Sequence, residues 1–358
     1  MQKDRNILDF SRRAALAGLL FVAAGISGAR AADADAFGAD LYAKAKAAGE
    51  TKVSYYTSMV PPQFDAVMAR WKQLYPDIAV EYVRADLGQI LERVLAENRA
   101  KKYLADVISN NEASFASLQK ENLLAKFESP TRAKWIEPFK SHFNGYQFPS
   151  RLLQIGLAVN TDKVKEADFP RKWTDLTDPK WKGRIGVPDP RVGGGAQLWF
   201  LGLWDRPGYG EKYFSGLYAN DALVKPGIIQ LEQSVELGEV DVDVVAYDYV
   251  TLPARKSGKP VAFVLPRDGT FILATYDSVA ANAPHPNAAK LLAHFLMTKD
   301  AQEALTGSFV TPVNGDVALN PNAPDRKGVE VLMTTPTEAQ LKNMKTYVDH
   351  MNKVFNLR

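Results

Sequence analysis

The stretch that most constrains this chain is Val240 to Phe271, which reads VDVDVVAYDYVTLPARKSGKPVAFVLPRDGTF. Apolar and acidic residues alternate strictly from Val240 to Val244 and the run then becomes fully apolar, the pattern of a strand passing from a half-exposed edge into a core. It stops at Tyr247, Asp248 and Tyr249, three polar-tipped side chains at the point where an α/β strand gives way to a helix. Ligands of open α/β sheets bind beyond the carboxyl ends of their strands. A short helix over Val250 to Ser257 is closed by Gly258, and Pro260 to Leu265 makes a second apolar strand. The unit is strand, site, helix, strand.

The rest of the chain repeats this alternation. KVSYYTS from Lys52 to Ser58 reads as a first strand, and Phe64, Val67, Met68, Trp71, Leu74 and Tyr75 then recur at helical spacing behind Pro62. Ile78 to Val83 and Asp106 to Ser109 are further strands, each followed by a helical pattern. Strands separated by helices predict a mainly parallel sheet. Leu152 to Asn160 is a long strand, Arg184 to Pro188 a short one, and a last helix carries Leu341, Met344, Val348, Met351 and Phe355 on one stripe. Asp241 and Asp243 are spaced for an exposed strand face, and Trp199, Phe200 and Trp204 for helix packing rather than a sugar platform.

Residues 1–31 read as a cleavable leader: a charged start ending in Ser11-Arg12-Arg13, an apolar run from Ala14 to Gly28, and small residues up to Ala31. The run is too short to span a membrane. The arginine pair resembles a twin-arginine export signal, with Ala15 and Ala17 departing from it, so an ordinary secretory signal stays open. The full sequence has 44 basic and 41 acidic residues. Five of the basic groups (Lys3, Arg5, Arg12, Arg13, Arg30) and two of the acidic ones (Asp4, Asp9) lie in this leader, so the remainder has no net charge. Nothing electrostatic then favours nucleic acid or an anionic membrane as partner. Zero cysteines exclude disulfides, thiolate metal sites and a cysteine nucleophile. The expectation is an exported periplasmic protein, and the 327 residues beyond the leader call for two lobes.

Taken together, YYTS before a helix, the Asn160-Thr161-Asp162-Lys163 turn after a long strand, WTDLTDPKWKGRIGVPDP from Trp173 to Pro190, and GEVDVDVVAYDY from Gly238 to Tyr249 resemble the extracellular solute-binding proteins of ABC importers. The branch is the ferric-iron-binding-like group of the type II periplasmic binding fold. The resemblance implies an α/β clamshell: mainly parallel sheets flanked by helices, two lobes joined by two crossover strands (Leu152 to Asn160 and Thr270 to Ala281), and a ligand cleft between them. Lobe 1 is expected over 32–157 plus 273–335 and lobe 2 over 158–272, with the C-terminal helix, 336–358, a candidate addition to lobe 2. The protein would be a monomer that captures a solute and passes it to a membrane permease, with no catalysis and no cofactor of its own.

Three loops are expected to meet in that cleft. Thr57 and Ser58 precede a helix whose free N–H groups suit an anion. Arg191, Gly193, Gly194 and Gly195 also precede a helix, the glycines allowing close backbone approach and Arg191 a bidentate grip; a flexible connector with a solvated arginine is the alternative. Asn110 and Asn111 either hydrogen-bond a ligand or turn the chain. Tyr247, Asp248 and Tyr249 form the decisive set beside these loops. Iron-binding members carry an adjacent tyrosine pair here; Tyr249 matches its second member, Asp248 stands in place of the first, and Val159 replaces a further family tyrosine. Carboxylate and phenolate are both hard oxygen donors, so Asp248 and Tyr249 would be the metal ligands if Fe(III) is the cargo. Otherwise one tyrosine packs in the core while Asp248 caps the helix. The cargo is therefore either Fe(III), with or without a synergistic anion, or a small anionic metabolite. A periplasmic hydrolase is the rival class, although HExxH, GxSxG and P-loop signatures are all missing. A binding protein that feeds a sensor kinase is a further alternative.

Overall fold

The computed structural model describes residues 35–192 and 194–357. The leader over 1–31 and the candidate Gly193 lie outside the described residues. From the amino end run α1 (Ala36–Ala47), β1 (Lys52–Thr57), α2 (Pro61–Leu74), β2 (Ala79–Arg84), α3 (Leu87–Arg99), β3 (Val107–Asn110) and α4 (Glu112–Lys120). Pro61 and Pro62 start α2, where their missing N–H groups cost nothing, and Phe64, Val67, Trp71 and Leu74 line its buried side. Strands β2, β1 and β3 are parallel neighbours, as the strand–helix alternation predicts. Tyr55 and Tyr56 fall on opposite faces of β1. The Tyr55 hydroxyl donates to Asp277 at 2.9 Å, and that of Tyr56 to Glu97 at 2.8 Å.

The chain then crosses over. Strand β4 (Phe148–Asn160) is 13 residues long and buried throughout. Beyond it come β5 (Ile185–Pro188), α5 (Gly194–Trp204), α6 (Gly210–Ala219), β6 (Leu223–Lys225), α7 (Ile228–Glu236), β7 (Val242–Tyr247), α8 (Asp248–Lys256) and β8 (Val261–Val264). Strand β9 (Thr270–Val279) returns, antiparallel to β4, and α9 (Pro286–Leu296), α10 (Lys299–Thr306), β10 (Val331–Met333), α11 (Glu338–Lys342) and α12 (Met344–Phe355) complete the described chain. The described strands form one ten-stranded sheet whose main path runs β2-β1-β3-β9-β4-β7-β5-β6. The strands of each half are parallel; β4 and β9, running through the middle, are antiparallel to each other and tie the halves together.

The motif from Trp173 to Pro190 is a structural staple. The buried Trp173 indole donates to the Gly269 carbonyl at 2.9 Å, Asp175 accepts from the backbones of Arg171 and Lys172, and Arg184 lies over the Trp181 ring. Asn160 closes the turn after β4 by accepting from the N–H groups of Asp162 and Lys163 and donating to Val235. Trp199, Phe200 and Trp204 pack among Phe214 and Phe355, so α12 lies against α5 and α6.

One expectation is overturned. Asp241 and Asp243 do not lie on an exposed strand face: their relative exposures are 7% and 0%. The reason is topological, because β7 is an interior strand between β4 and β5 with α7 packed against it. Asp241 is paired with Arg184. Asp243 accepts from the Val245 N–H through one oxygen, while its other oxygen has no partner, and burial pushes its carboxyl up to about 8. Glu232 on α7, also buried, is pushed up to about 9 by the same desolvation. A carboxyl raised on folding leaves stability intact below its unfolded value and lowers it as pH rises towards the folded value, here from 3.8 to about 8 for Asp243. Thermal melts should therefore show Asp243→Asn matching the parent near pH 4 and melting higher at pH 9, by roughly 3 °C or more.

Candidate functional site

The candidate residues lie on the loops that follow β1, β3, β5 and β7, and each loop is set by its own local chemistry. At the end of β1, the Thr57 hydroxyl accepts from the Met59 N–H at 3.1 Å and is fully buried, which bends the chain into α2. At the end of β3, Asn110 donates to the Leu87 carbonyl at 2.8 Å, and Asn111 caps α4 by accepting from Ser114 at 2.9 Å. Thr57, Asn110 and Asn111 thus shape the loops through their own side chains.

The β5–α5 loop is arranged differently from a free anion grip. Arg191 pairs with Asp189 at 2.6 Å and donates to Asn352 of α12 at 3.0 Å. Gly194 has φ +62°, a conformation that favours glycine. The Gly195 N–H donates to the Tyr247 hydroxyl at 3.0 Å, and a Cβ on Gly195 would stand 2.6 Å from that oxygen. Tyr247 therefore covers the first turn of α5. Its phenol is pushed well up by burial, with neighbouring Tyr249 adding to the rise.

Asp248 and Tyr249 open α8. Asp248 is buried, accepts from the Tyr249 N–H at 2.7 Å, and has its carboxyl pushed up to about 8 by desolvation against the pull of that bond and of Arg326. Tyr249 is half-buried, and its ring stacks on that of Tyr247 at 5.3 Å. Desolvation pushes its phenol up to about 12, opposed by Arg151 and Arg84.

Arg151, near the start of β4, is the residue the sequence reading missed. It is only 2% exposed. Its Nη1 donates to Gln63 at 3.2 Å, its Nη2 donates to the Ser58 hydroxyl at 3.0 Å, and its Nε has no partner. Among the described residues no carboxylate lies within salt-bridge distance of it. Asp277 is within its electrostatic reach and accepts from Tyr55; burial pushes that carboxyl up to about 6, so at neutral pH it is largely ionised and offsets part of the charge without bonding to the guanidinium. A buried, permanently charged guanidinium bonded only to neutral groups is costly unless something brings a negative charge to it. Gln63 adds a second buried donor without an acceptor, its Nε2. The sequence signal for Arg151 is its place immediately before the long apolar run, Leu152 to Asn160, that becomes the crossover strand.

Two further arginines face this region. Arg84, exposed at the end of β2, has no salt bridge among the described residues and lies within electrostatic reach of Tyr82 and Tyr249. Arg326 donates to Thr311 at 3.2 Å and faces Asp248, and desolvation lowers its value. A small cavity of about 40 Å³ between the first turns of α4 and α5 joins Asn111 to Gly194, with Glu112, Gln197 and Tyr276 also on its wall. Of the candidates, the structure thus brings together Ser58 with Arg151, Tyr247 with Gly195 and Tyr249, and Asn111 with Gly194.

One sheet in two halves, joined by paired long strands and with the first turns of α4 and α5 on one cavity, is the architecture of a periplasmic-type binding protein. The chain belongs to the bacterial extracellular solute-binding protein family, whose model matches residues 102–333. As a member of that family it is a solute-binding protein and not an enzyme. The Fe(3+)-binding periplasmic protein of Serratia marcescens is 24% identical over 262 residues, 70% of this chain and 75% of that one. Iron-bound HitA from Pseudomonas aeruginosa superposes with a TM-score of 0.68 at 22% identity, over 85% of this chain and 99% of that one. The periplasmic binding protein AfuA from Actinobacillus pleuropneumoniae, with exogenous fructose-6-phosphate bound, gives a TM-score of 0.66 at 22% identity, over 86% and 99%. Among the described residues no helix is long and apolar enough to cross a membrane, and no group of three or more His, Asp or Glu is placed to hold a metal.

Proposed function

We infer that this protein is the periplasmic receptor of an ABC importer for a small oxyanion, a phosphate-, phosphonate- or carboxylate-bearing metabolite, bound over Arg151 and delivered to the permease by a monomeric receptor. The observation that carries this reading is the buried Arg151 guanidinium, whose hydrogen-bond partners, Ser58 and Gln63, are both neutral. Arg84 at the rim adds to the positive field, and Asp248, with its carboxyl raised by burial, does not offset it at neutral pH. A charge-assisted bond to a desolvated oxyanion is among the stronger polar contacts available. The AfuA complex supports the idea that this fold accommodates an organic phosphate. Lobes over 32–157 with 273–335 and over 158–272 are supported by β4 and β9 being the strands that connect the halves, and 336–358 goes with the second lobe because α12 packs on α6. Export by a twin-arginine or ordinary signal peptide removed near Ala31 completes the reading.

Fe(III) is the second reading, favoured by the name of the Serratia relative and by the phenol of Tyr249, a hard oxygen donor on a half-buried residue. Asp248 weighs against it, because a buried carboxyl raised to about 8 and bonded to backbone N–H is a poor ligand at neutral pH. A thermal-shift panel of inorganic phosphate, methylphosphonate, sugar phosphates, dicarboxylates and Fe(III) with carbonate separates the two. A ligand present at a hundred times its Kd stabilises by about 2.7 kcal/mol. We expect the rise from an organic oxyanion; a rise from iron alone, lost in Tyr249→Phe, would replace this reading with the metal one.

A further inference from the structure

Arg151 has aromatic rings as well as charge in its surroundings. Tyr82 on β2 is half-exposed, its ring stacked on Phe64 at 3.9 Å with 18° between the planes and its hydroxyl donating to the Met59 carbonyl. Tyr249 on α8 is half-exposed too, its ring backed by Tyr247 at 5.3 Å and 29°. Each ring is thus supported from behind by a second ring and held flat. The two belong to different halves of the sheet, yet Arg84 and Arg151 lie within electrostatic reach of both. Tyr82 is bonded to the carbonyl that follows Ser58, the partner of Arg151, and Tyr249 lies within reach of the same guanidinium, so both rings flank the oxyanion position, where stacking rewards a flat body more than an alkyl chain.

We propose that the ligand is an oxyanion carried on a planar ring, its charged group held by Arg151 and Ser58 and its ring packed against Tyr82 and Tyr249. The inference rests on the anion reading given above and adds the body of the ligand to it. Tyr82 and Tyr249 then set specificity between ring-bearing and simple anions, and Arg84, with no carboxylate bound to it among the described residues, meets the second negative charge of a dianion.

The test is a calorimetric titration of the mature protein with phenyl phosphate, methyl phosphate and inorganic phosphate. Phenyl phosphate is expected to bind about tenfold or more tighter than methyl phosphate, the size of one good aromatic contact. Tyr82→Leu and Tyr249→Leu should each lose most of that preference, the loss for methyl phosphate being the smaller of the two. Tyr82→Phe and Tyr249→Phe, which keep the rings, should retain it, and unchanged circular dichroism spectra show that the folds are intact. If methyl and phenyl phosphate bind equally well and both depend on Arg151, the ring inference falls while the anion reading stands. If the leucine variants weaken both esters alike, the tyrosines are structural and the inference also falls. If none of the three binds saturably, both readings fall together.

Discussion

Arg151→Met is expected to weaken oxyanion binding by about 30-fold to over 1,000-fold, the 2–5 kcal/mol associated with removing one member of a buried charge pair. The same variant should leave the ligand-free protein at least as stable as the parent. The two effects have one cause. In the unliganded protein Arg151 has only neutral hydrogen-bond partners and an unpartnered Nε, so an apolar chain of similar length relieves the desolvation of a buried charge at the cost of two hydrogen bonds and of its field on Asp277. A purely structural arginine would behave in the opposite way, because losing its bonds to Ser58 and Gln63 would lower the melting temperature of the empty protein. Melts with and without ligand, together with calorimetry, read both effects in one set of samples. Arg151→Lys keeps the charge but not the fork that reaches two partners, so it should fall between the two.

Gly156→Val is expected to cost about 3–5 kcal/mol and to lower the melting temperature by roughly 5 °C or more. Gly156 sits where β4 exchanges one neighbour for another: Ile155 is paired with Phe271 of β9 and Leu157 with Val264 of β8. A Cβ there would lie 2.6 Å from the Val264 carbonyl oxygen and 2.7 Å from the Phe263 ring. Backbone cannot yield as a flexible side chain can, so the added volume would push β8 away from the central strand, to which α8 and its site loop are also packed. Gly88, in α3, has nothing within 4 Å of its Cβ position. Gly88→Ala is the matched control and should be neutral or stabilising by a few tenths of a kcal/mol, since alanine is the better helix former. Equal melting temperatures for Gly156→Val and the parent would contradict the packing described for β4.

Much of the architecture was legible in the sequence because it rests on periodicity. The apolar run of β7, the helical stripe of α2 and the long run of β4 announce their elements regardless of partners. The segment from Trp173 to Pro190 could be recognised because Trp173, Asp175 and Asp178 each make a bond that few other residues could make. Pairings between distant segments were not legible. Alternation of Val240, Asp241, Val242 and Asp243 looks the same on an edge strand and on an interior one, and only the neighbours β4 and β5 decide that Asp243 is buried. Arg191, beside three glycines, looked free to grip an anion, but its ion pair with Asp189 two residues earlier and its bond to Asn352, far along the chain, occupy it. Arg151 escaped notice for the complementary reason: its partners, Ser58 and Gln63, come from the β1–α2 connection, about ninety residues away in sequence. Tyr82 and Tyr249 likewise acquire a shared environment only when the halves are brought together by β4 and β9.

The most direct test of the central claim is a paired titration of the ligand-free protein at neutral pH, one with a phosphate monoester followed by heat and one with Fe(III) and carbonate followed by visible absorbance. The account predicts saturable single-site heat from the ester, abolished in Arg151→Met, and no tyrosinate-to-iron charge-transfer band. A visible band that persists in Arg151→Met and disappears in Tyr249→Phe, with no heat from the ester, would contradict it and make the protein an iron carrier.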